Sequence, residues 1–156
     1  YIGDDPMPSM TLNPEPVPDT SKLYFTQIDP PNEHSIVTAS LPSGDGAETF
    51  RTKAGVPVLS PDGTQLLLAD YNQMGGLVVH DLESNADVLI AEGPGVSTGR
   101  WSPDGSSVVY LRLNDGGTCS HVEIVRADGS DVAAPARIQD CDESGRFVTE
   151  LAWILR

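Results

Sequence analysis

The sequence predicts an all-β chain of propeller-type blades, each of four antiparallel strands, with about three blades in a partial or open propeller. Three observations predict it. Short runs rich in Val, Leu, Ile, Tyr and Phe alternate with clusters of Gly, Asp, Ser, Pro and Asn, which is the strand-and-turn signature. No window holds apolar residues at helical spacing across a dozen positions, so no helix is expected. Ser60-Pro61-Asp62-Gly63 recurs as Ser102-Pro103-Asp104-Gly105. That step falls within the period of about 40–45 residues that four-stranded propeller blades give.

Composition agrees and narrows the function. A chain of 156 residues fits one domain with a sizeable core. Its 15 glycines and 13 prolines imply many turns. The formal net charge of −14 disfavours nucleic acid and anionic lipid surfaces, which are bound through Lys and Arg. Partners with basic patches, or cations, suit it better. No apolar run reaches the length of about 18 residues needed to span a bilayer, although peripheral association with a membrane complex is allowed. Residue 1 is Tyr rather than Met, so a processed, trimmed or longer chain is open.

The elements follow in order. Residues 1–20 hold prolines at 6, 8, 14, 16 and 18 and are read as an extended arm or linker, because Pro removes backbone donors and favours polyproline II geometry. Residues 21–156 form the partial propeller. Segments 23–28, 35–41 and 48–52 fit the second, third and fourth strands of a blade lacking its first. In the next two blades 58–70 lies over 100–112, with a bulky residue before each motif, Leu59 or Trp101. Their third strands are 77–82 and 121–126, and their fourth strands 87–92 and, less regularly, 132–138. Segment 147–153 reads as the first strand of another blade, with Trp153 in the place of Trp101.

The recurring tetrapeptide has a mechanical reading. The Pro ring presets φ for the first central turn position, Asp suits the next, and Gly accepts the left-handed conformation that rejoins the strand. The Ser hydroxyl can cap the turn. The motif joins the first and second strands of a blade. Neither its Ser nor its Asp is read as catalytic, since no His accompanies them at a repeat-matched place.

Residues 101–111 (WSPDGSSVVYL) followed by 121–131 (HVEIVRADGSD) resemble the WD40-like repeat of TolB-type propellers. The resemblance is strong over 56–131 and weaker over the rest of 21–153. It implies the fold but not the role, because the repeat occurs in envelope scaffold proteins, in propeller caps of serine peptidases and in lipoproteins. The smallest closed propellers have four blades. About three blades therefore leave faces and edges that a second copy or another protein would cover.

Cys119 precedes the third strand of its blade and Cys141 lies after the fourth. Those loops emerge on one face of a propeller, so a disulfide is expected, with two unpaired thiols as the alternative. A loop of this length would gain roughly 3 kcal/mol from the cross-link, and the bond implies an oxidising compartment, periplasmic or extracellular. Asp115, Asp140, Asp142 and Glu143 are weak candidates for Ca²⁺, but they lack EF-hand spacing and read better as solvated acids. His80 and His121 are read as matched third-strand positions, and Trp101 and Trp153 as packing between blades. No cofactor or catalytic residue is expected. The function read from the sequence is a non-enzymatic protein-binding or scaffold module of the cell envelope. The alternatives are the propeller cap of a serine peptidase-like enzyme and a Ca²⁺- or small-ligand-binding propeller.

Overall fold

The computed structural model describes residues 12–16, 22–41, 43, 45–71, 75–93, 95–114, 117–139, 151 and 153. All its elements are strands. Blade 1 comprises β1 (Leu12–Pro16), β2 (Lys22–Asp29), β3 (Glu33–Ser40) and β4 (Glu48–Thr52). Blade 2 comprises β5 (Ala54–Leu59), β6 (Gln65–Asp70), β7 (Gly76–Asp81) and β8 (Asp87–Glu92). Blade 3 comprises β9 (Val96–Trp101), β10 (Ser107–Leu113), β11 (Ser120–Arg126) and β12 (Ala136–Gln139). Each sheet is an antiparallel meander of consecutive strands. The three stand side by side as an open arc, each packed on its neighbour in sequence.

Alternation along the strands makes that stacking possible, because successive side chains point to opposite faces. On β6, Leu66 and Leu68 join Tyr24, Ile36 and Ala54 at the seam with blade 1. The intervening Leu67 and Ala69 join Leu77 and Val79 at the seam with blade 3, where Val108, Tyr110 and Trp101 meet them. All four β6 positions are at most 2% exposed. A strand buried on both faces must be apolar without interruption, which is why 66–69 reads Leu-Leu-Leu-Ala. Full burial of one such leucine contributes about 1.5–3 kcal/mol.

The structure departs from the sequence reading in three places. Blade 1 does not lack its first strand: Leu12–Pro16, assigned to the extended arm, pairs antiparallel with β2. Pro is tolerated there because β1 is an edge strand and its register shifts between Leu12 and Glu15, across Pro14. The strand count is therefore three blades in phase rather than shifted by one. The fourth strand of blade 3 is Ala136–Gln139, not 132–138. Residues 131–134 are wound into turns closed by Val132 N–H to Gly129 O and Ala134 N–H to Asp131 O. His80 and His121 are not matched, since His80 faces Leu66 at the start of β6 whereas His121 faces Arg112 near the end of β10. Of segment 147–153, only Leu151 and Trp153 lie within the described residues, and neither is in a strand.

Candidate interaction surface at the blade seams and the open end

Each seam is fastened by polar contacts laid over the apolar core. At the second seam the indole N–H of Trp101 donates to the carbonyl of Val58 at 2.9 Å. Gly99 lets the strands meet closely there, for a Cβ on it would stand 2.7 Å from Leu67 Cδ2. Glu123, 2% exposed, accepts from the Tyr110 hydroxyl at 2.7 Å, from Arg112 Nε at 2.9 Å and from Arg137 Nη2 at 3.1 Å. Arg112 also reaches across to the carbonyl of Glu92 in blade 2 at 2.6 Å. Burial would raise the Glu123 pKa, but the hydrogen bonds from Arg112, Tyr110 and Arg137 hold it below its ordinary value. Burial and the Glu123 carboxylate together push Tyr110 up to about 12.

The first seam uses other groups. Arg51 of β4 pairs with Asp87 of β8, and Asp87 also contacts His80 Nδ1 at 2.8 Å. Burial opposes ionisation of Asp87, yet its hydrogen bonds to His80 and Arg51 outweigh it and lower the pKa. The Phe50 ring stands edge-on to His80 with centroids 5.0 Å apart.

The open end is the outer face of blade 3. Val109, Leu111 and Val122 cluster there, with Leu151 packed on them. Val109 and Leu111 are the repeat counterparts of Leu67 and Ala69, and Val122 matches Leu77 by strand register. On blade 2 those positions receive blade 3. The indole N–H of Trp153 lies 3.4 Å from the Arg100 carbonyl, and Arg100 is the repeat counterpart of Val58. The bond that joins blade 3 to blade 2 thus recurs one step further along.

The two Ser-Pro-Asp-Gly turns are superimposable in their bonding. Ser60 Oγ–H donates to Asp62 Oδ1 at 2.6 Å while accepting from Gln65 N–H at 2.9 Å. Ser102 does the same with Asp104 and Ser107, at 2.6 and 3.0 Å. Each Asp also accepts from the backbone and hydroxyl of the residue two places on, Thr64 or Ser106. Gly63 and Gly105 sit at φ 76° and 72°, the left-handed region that glycine enters freely. The Ser hydroxyl and one carboxylate oxygen of each motif are engaged within the turn. The Ser102 hydroxyl and the Ser106 donors hold Asp104 down at about 2.

Among the disulfide residues, Cys119 is buried at the β10–β11 turn, where its backbone exchanges hydrogen bonds with Asn114. Cys141 lies outside the described residues, as do Asp115, Asp140, Asp142 and Glu143. Among the described residues no group of three His, Cys, Asp or Glu side chains is placed to hold a metal, and no helix is long and apolar enough to cross a membrane.

No family model matches the chain, and no curated protein does. Solved structures do match. The β-propeller domain of the Trilobed protease from Pyrococcus furiosus, described as having an open velcro topology, aligns with a TM-score of 0.60 at 17% identity, covering 83% of this chain and 43% of that one. TolB from Acinetobacter baumannii aligns with a TM-score of 0.60 at 15% identity, covering 80% and 30%. The Pyrococcus horikoshii acylaminoacyl peptidase gives 0.60 at 15%, covering 83% and 25%. The chain spans less than half of each of these chains, and at these identities the likeness is one of fold: the three sheets are β-propeller blades.

Proposed function

We propose that this propeller arc is a non-enzymatic protein-binding module whose end blades are completed by protein, either a second copy or a larger assembly of the cell envelope. The observation that carries the reading is the repetition of the seam apparatus at the open end, where Leu151 packs on Val109, Leu111 and Val122 and Trp153 faces the Arg100 carbonyl. That face has the chemistry of a blade seat. In repeat architectures each unit buries its face only against a neighbour; here Val109, Leu111 and Val122 are already buried, with Leu151 of the following segment packed on them, so the chain itself begins the next seat and a partner would continue it. The acidic charge of −14 favours a partner with basic patches over nucleic acid.

The Cys119–Cys141 pair belongs to the same reading. Burial of Cys119 suits a cross-linked position, and a bond there places the chain in an oxidising compartment outside the cytoplasm. Intact-mass comparison before and after reduction and alkylation tests it. A peptidase cap is the second reading, supported by the propeller domains of peptidases among the similar structures. Catalysis would then reside in a hydrolase domain separate from these blades.

Light scattering after size exclusion tests the principal reading. The monomer is 16.6 kDa. A mass about twice that supports two arcs closing into one ring, and a monomer that captures other subunits supports completion by a partner. A monodisperse monomer that stays folded and recruits nothing overturns the reading.

A further inference from the structure

Aspartate followed by glycine occurs five times in the sequence, at Asp45, Asp62, Asp104, Asp115 and Asp128. Such a pair can react with itself. The glycine nitrogen attacks the aspartate Cγ, water leaves, and the succinimide ring that forms reopens by taking up water at either carbonyl. One opening restores aspartate. The other gives isoaspartate, in which the main chain runs through the side-chain carboxyl. The water lost at ring closure is regained at opening, so the step needs no oxidant, reductant or cofactor. Glycine suits it because no Cβ hinders the close approach of its backbone.

Two things hold such a pair inert. A glycine N–H committed to a carbonyl is not free to turn toward Cγ, and a carboxyl kept ionised by hydrogen bonds is a poor electrophile. Three of the pairs have both. Gly63 N–H donates to the Ser60 carbonyl at 2.9 Å, Gly105 N–H to the Ser102 carbonyl at 2.9 Å and Gly129 N–H to the Arg126 carbonyl at 3.1 Å. Asp62 Oδ1 accepts from Ser60 and Thr64, Asp104 Oδ1 from Ser102 and Ser106, and Asp128 Oδ1 from the Ser130 N–H at 2.9 Å. Hydrogen bonds from the Ser60, Ser102 and Ser130 hydroxyls are the first cause that lowers the pKa of these three carboxyls. Asp115 and Gly116 lie outside the described residues.

Asp45–Gly46 has neither restraint. The pair lies in the β3–β4 connection of blade 1, where Ser43, Asp45, Gly46 and Ala47 are all exposed. The loop does hold the main chain of Asp45, whose N–H donates to the Ser43 hydroxyl at 3.3 Å and whose carbonyl accepts from the Ser40 N–H at 3.2 Å. The reacting atoms are left out of that arrangement. Among the described residues no donor reaches the Asp45 carboxylate, and no carbonyl takes the Gly46 N–H. A Cβ on Gly46 would meet nothing within 4 Å, whereas one on Gly129 would stand 2.9 Å from Val88 Cγ1. The ring therefore has room to close at Gly46.

We propose that Asp45 is a modification site, where the folded chain converts aspartate to isoaspartate by closure on the Gly46 nitrogen. The product carries one more methylene in its main chain, and the carbonyl that accepted from Ser40 becomes a free carboxylate. The change falls in an exposed connection outside the cores of both seams, so it accumulates in folded protein.

The test holds the whole folded chain in mildly acidic buffer, samples it over time, and digests each sample with trypsin. Chromatography with electron-transfer fragmentation tells isoaspartate from aspartate. Cleavage places Asp45 in peptide 23–51, Asp62 in 54–100, Asp104 in 101–112 and Asp128 in 127–137, so each pair is read separately. Peptide 23–51 is expected to gain an isomer at Asp45, through a species lighter by one water. It should do so at least about tenfold faster than the other three, the factor that one net hydrogen bond imposes at the upper end of its range. In urea the four pairs should react at comparable rates, because the fold no longer separates them. Asp45→Asn should close the same ring with loss of ammonia and open to the heavier acid, whereas Asp62→Asn and Asp104→Asn should keep their amides in the folded protein. Equal rates at the four pairs in the folded chain, no isomer at Asp45 in the folded chain while the chain in urea forms it, or an Asp45→Asn chain that keeps its amide overturns the proposal.

Discussion

Trp101 donates its indole N–H to the main-chain carbonyl of Val58 at 2.9 Å, across the seam between the second and third blades. The ring is 6% exposed and belongs to the core shared by those blades. The same side chain therefore fills the seam and fixes its register. Because blades touch only their neighbours, such contacts set how cooperatively the arc unfolds.

Trp101→Phe keeps most of the buried ring and removes the donor, leaving the Val58 carbonyl without this partner. A loss of about 0.5–1.5 kcal/mol is expected. Trp101→Ala also removes the packing and should cost about 3–5 kcal/mol. Urea unfolding checks both. A lower m-value for the Ala variant would show blade 3 melting separately from blades 1 and 2.

Gly99 gives a sharper test of seam geometry. Its backbone is not left-handed, so any penalty for Gly99→Ala comes from contact and not from φ. The new methyl would meet Leu67 Cδ2 at 2.7 Å, Val108 Cγ1 at 3.2 Å and Leu77 Cδ1 at 3.3 Å. Overpacking of this kind costs about 1–3 kcal/mol. Pairing Gly99→Ala with Leu67→Ala should recover part of that loss, because the second change removes the atom that is struck. A double-mutant cycle measures the recovery.

The blades were legible in the sequence because their turns repeat. Ser60-Pro61-Asp62-Gly63 and Ser102-Pro103-Asp104-Gly105 need those residue types for the same closed set of hydrogen bonds. The first strand of blade 1 was hidden by its prolines, which an edge strand with a register shift accommodates. A signal was nevertheless there: Pro18-Asp19 stands about one repeat before Pro61-Asp62, with Val17 and Thr20 in place of Ser60 and Gly63 hiding the match. The Glu123 cluster was not legible, since a lone Glu in an apolar strand names no partners.

Glu123 should be indispensable to blade 3. Glu123→Ala leaves Arg112 and Arg137 without their shared carboxylate and the Tyr110 hydroxyl without its acceptor. Breaking a buried pair in this way costs about 3–5 kcal/mol. Tyr110→Phe removes one neutral donor to a charged acceptor and should cost less, about 1.5–3 kcal/mol. Tyr110 itself titrates at about 12 in the fold. Since that is raised above the unfolded value of about 10, its contribution is complete below pH 10 and is lost as pH rises toward 12. Alkaline thermal melts of the wild type and Tyr110→Phe should converge over that interval.

At the acid end the turns carry a pH dependence of their own. Asp104 is lowered from its ordinary 3.8 to about 2, chiefly by the Ser102 hydroxyl and then by Ser106, and Asp62 is lowered by the matching groups. A carboxylate whose pKa is depressed by folding stabilises the fold fully above its unfolded value and loses that effect as pH falls through its folded value. The window for Asp104 therefore runs from about pH 4 to about pH 2. Asp104→Asn removes the ionised acceptor while nearly preserving shape. The difference in Tm between the wild type and this variant should be constant above about pH 5 and shrink steadily toward pH 2, where both carry an uncharged group at the turn. A difference that persists unchanged at pH 2 would mean that the carboxylate acts through shape alone, and that its hydrogen bonds to Ser102 and Ser106 do not depend on its charge.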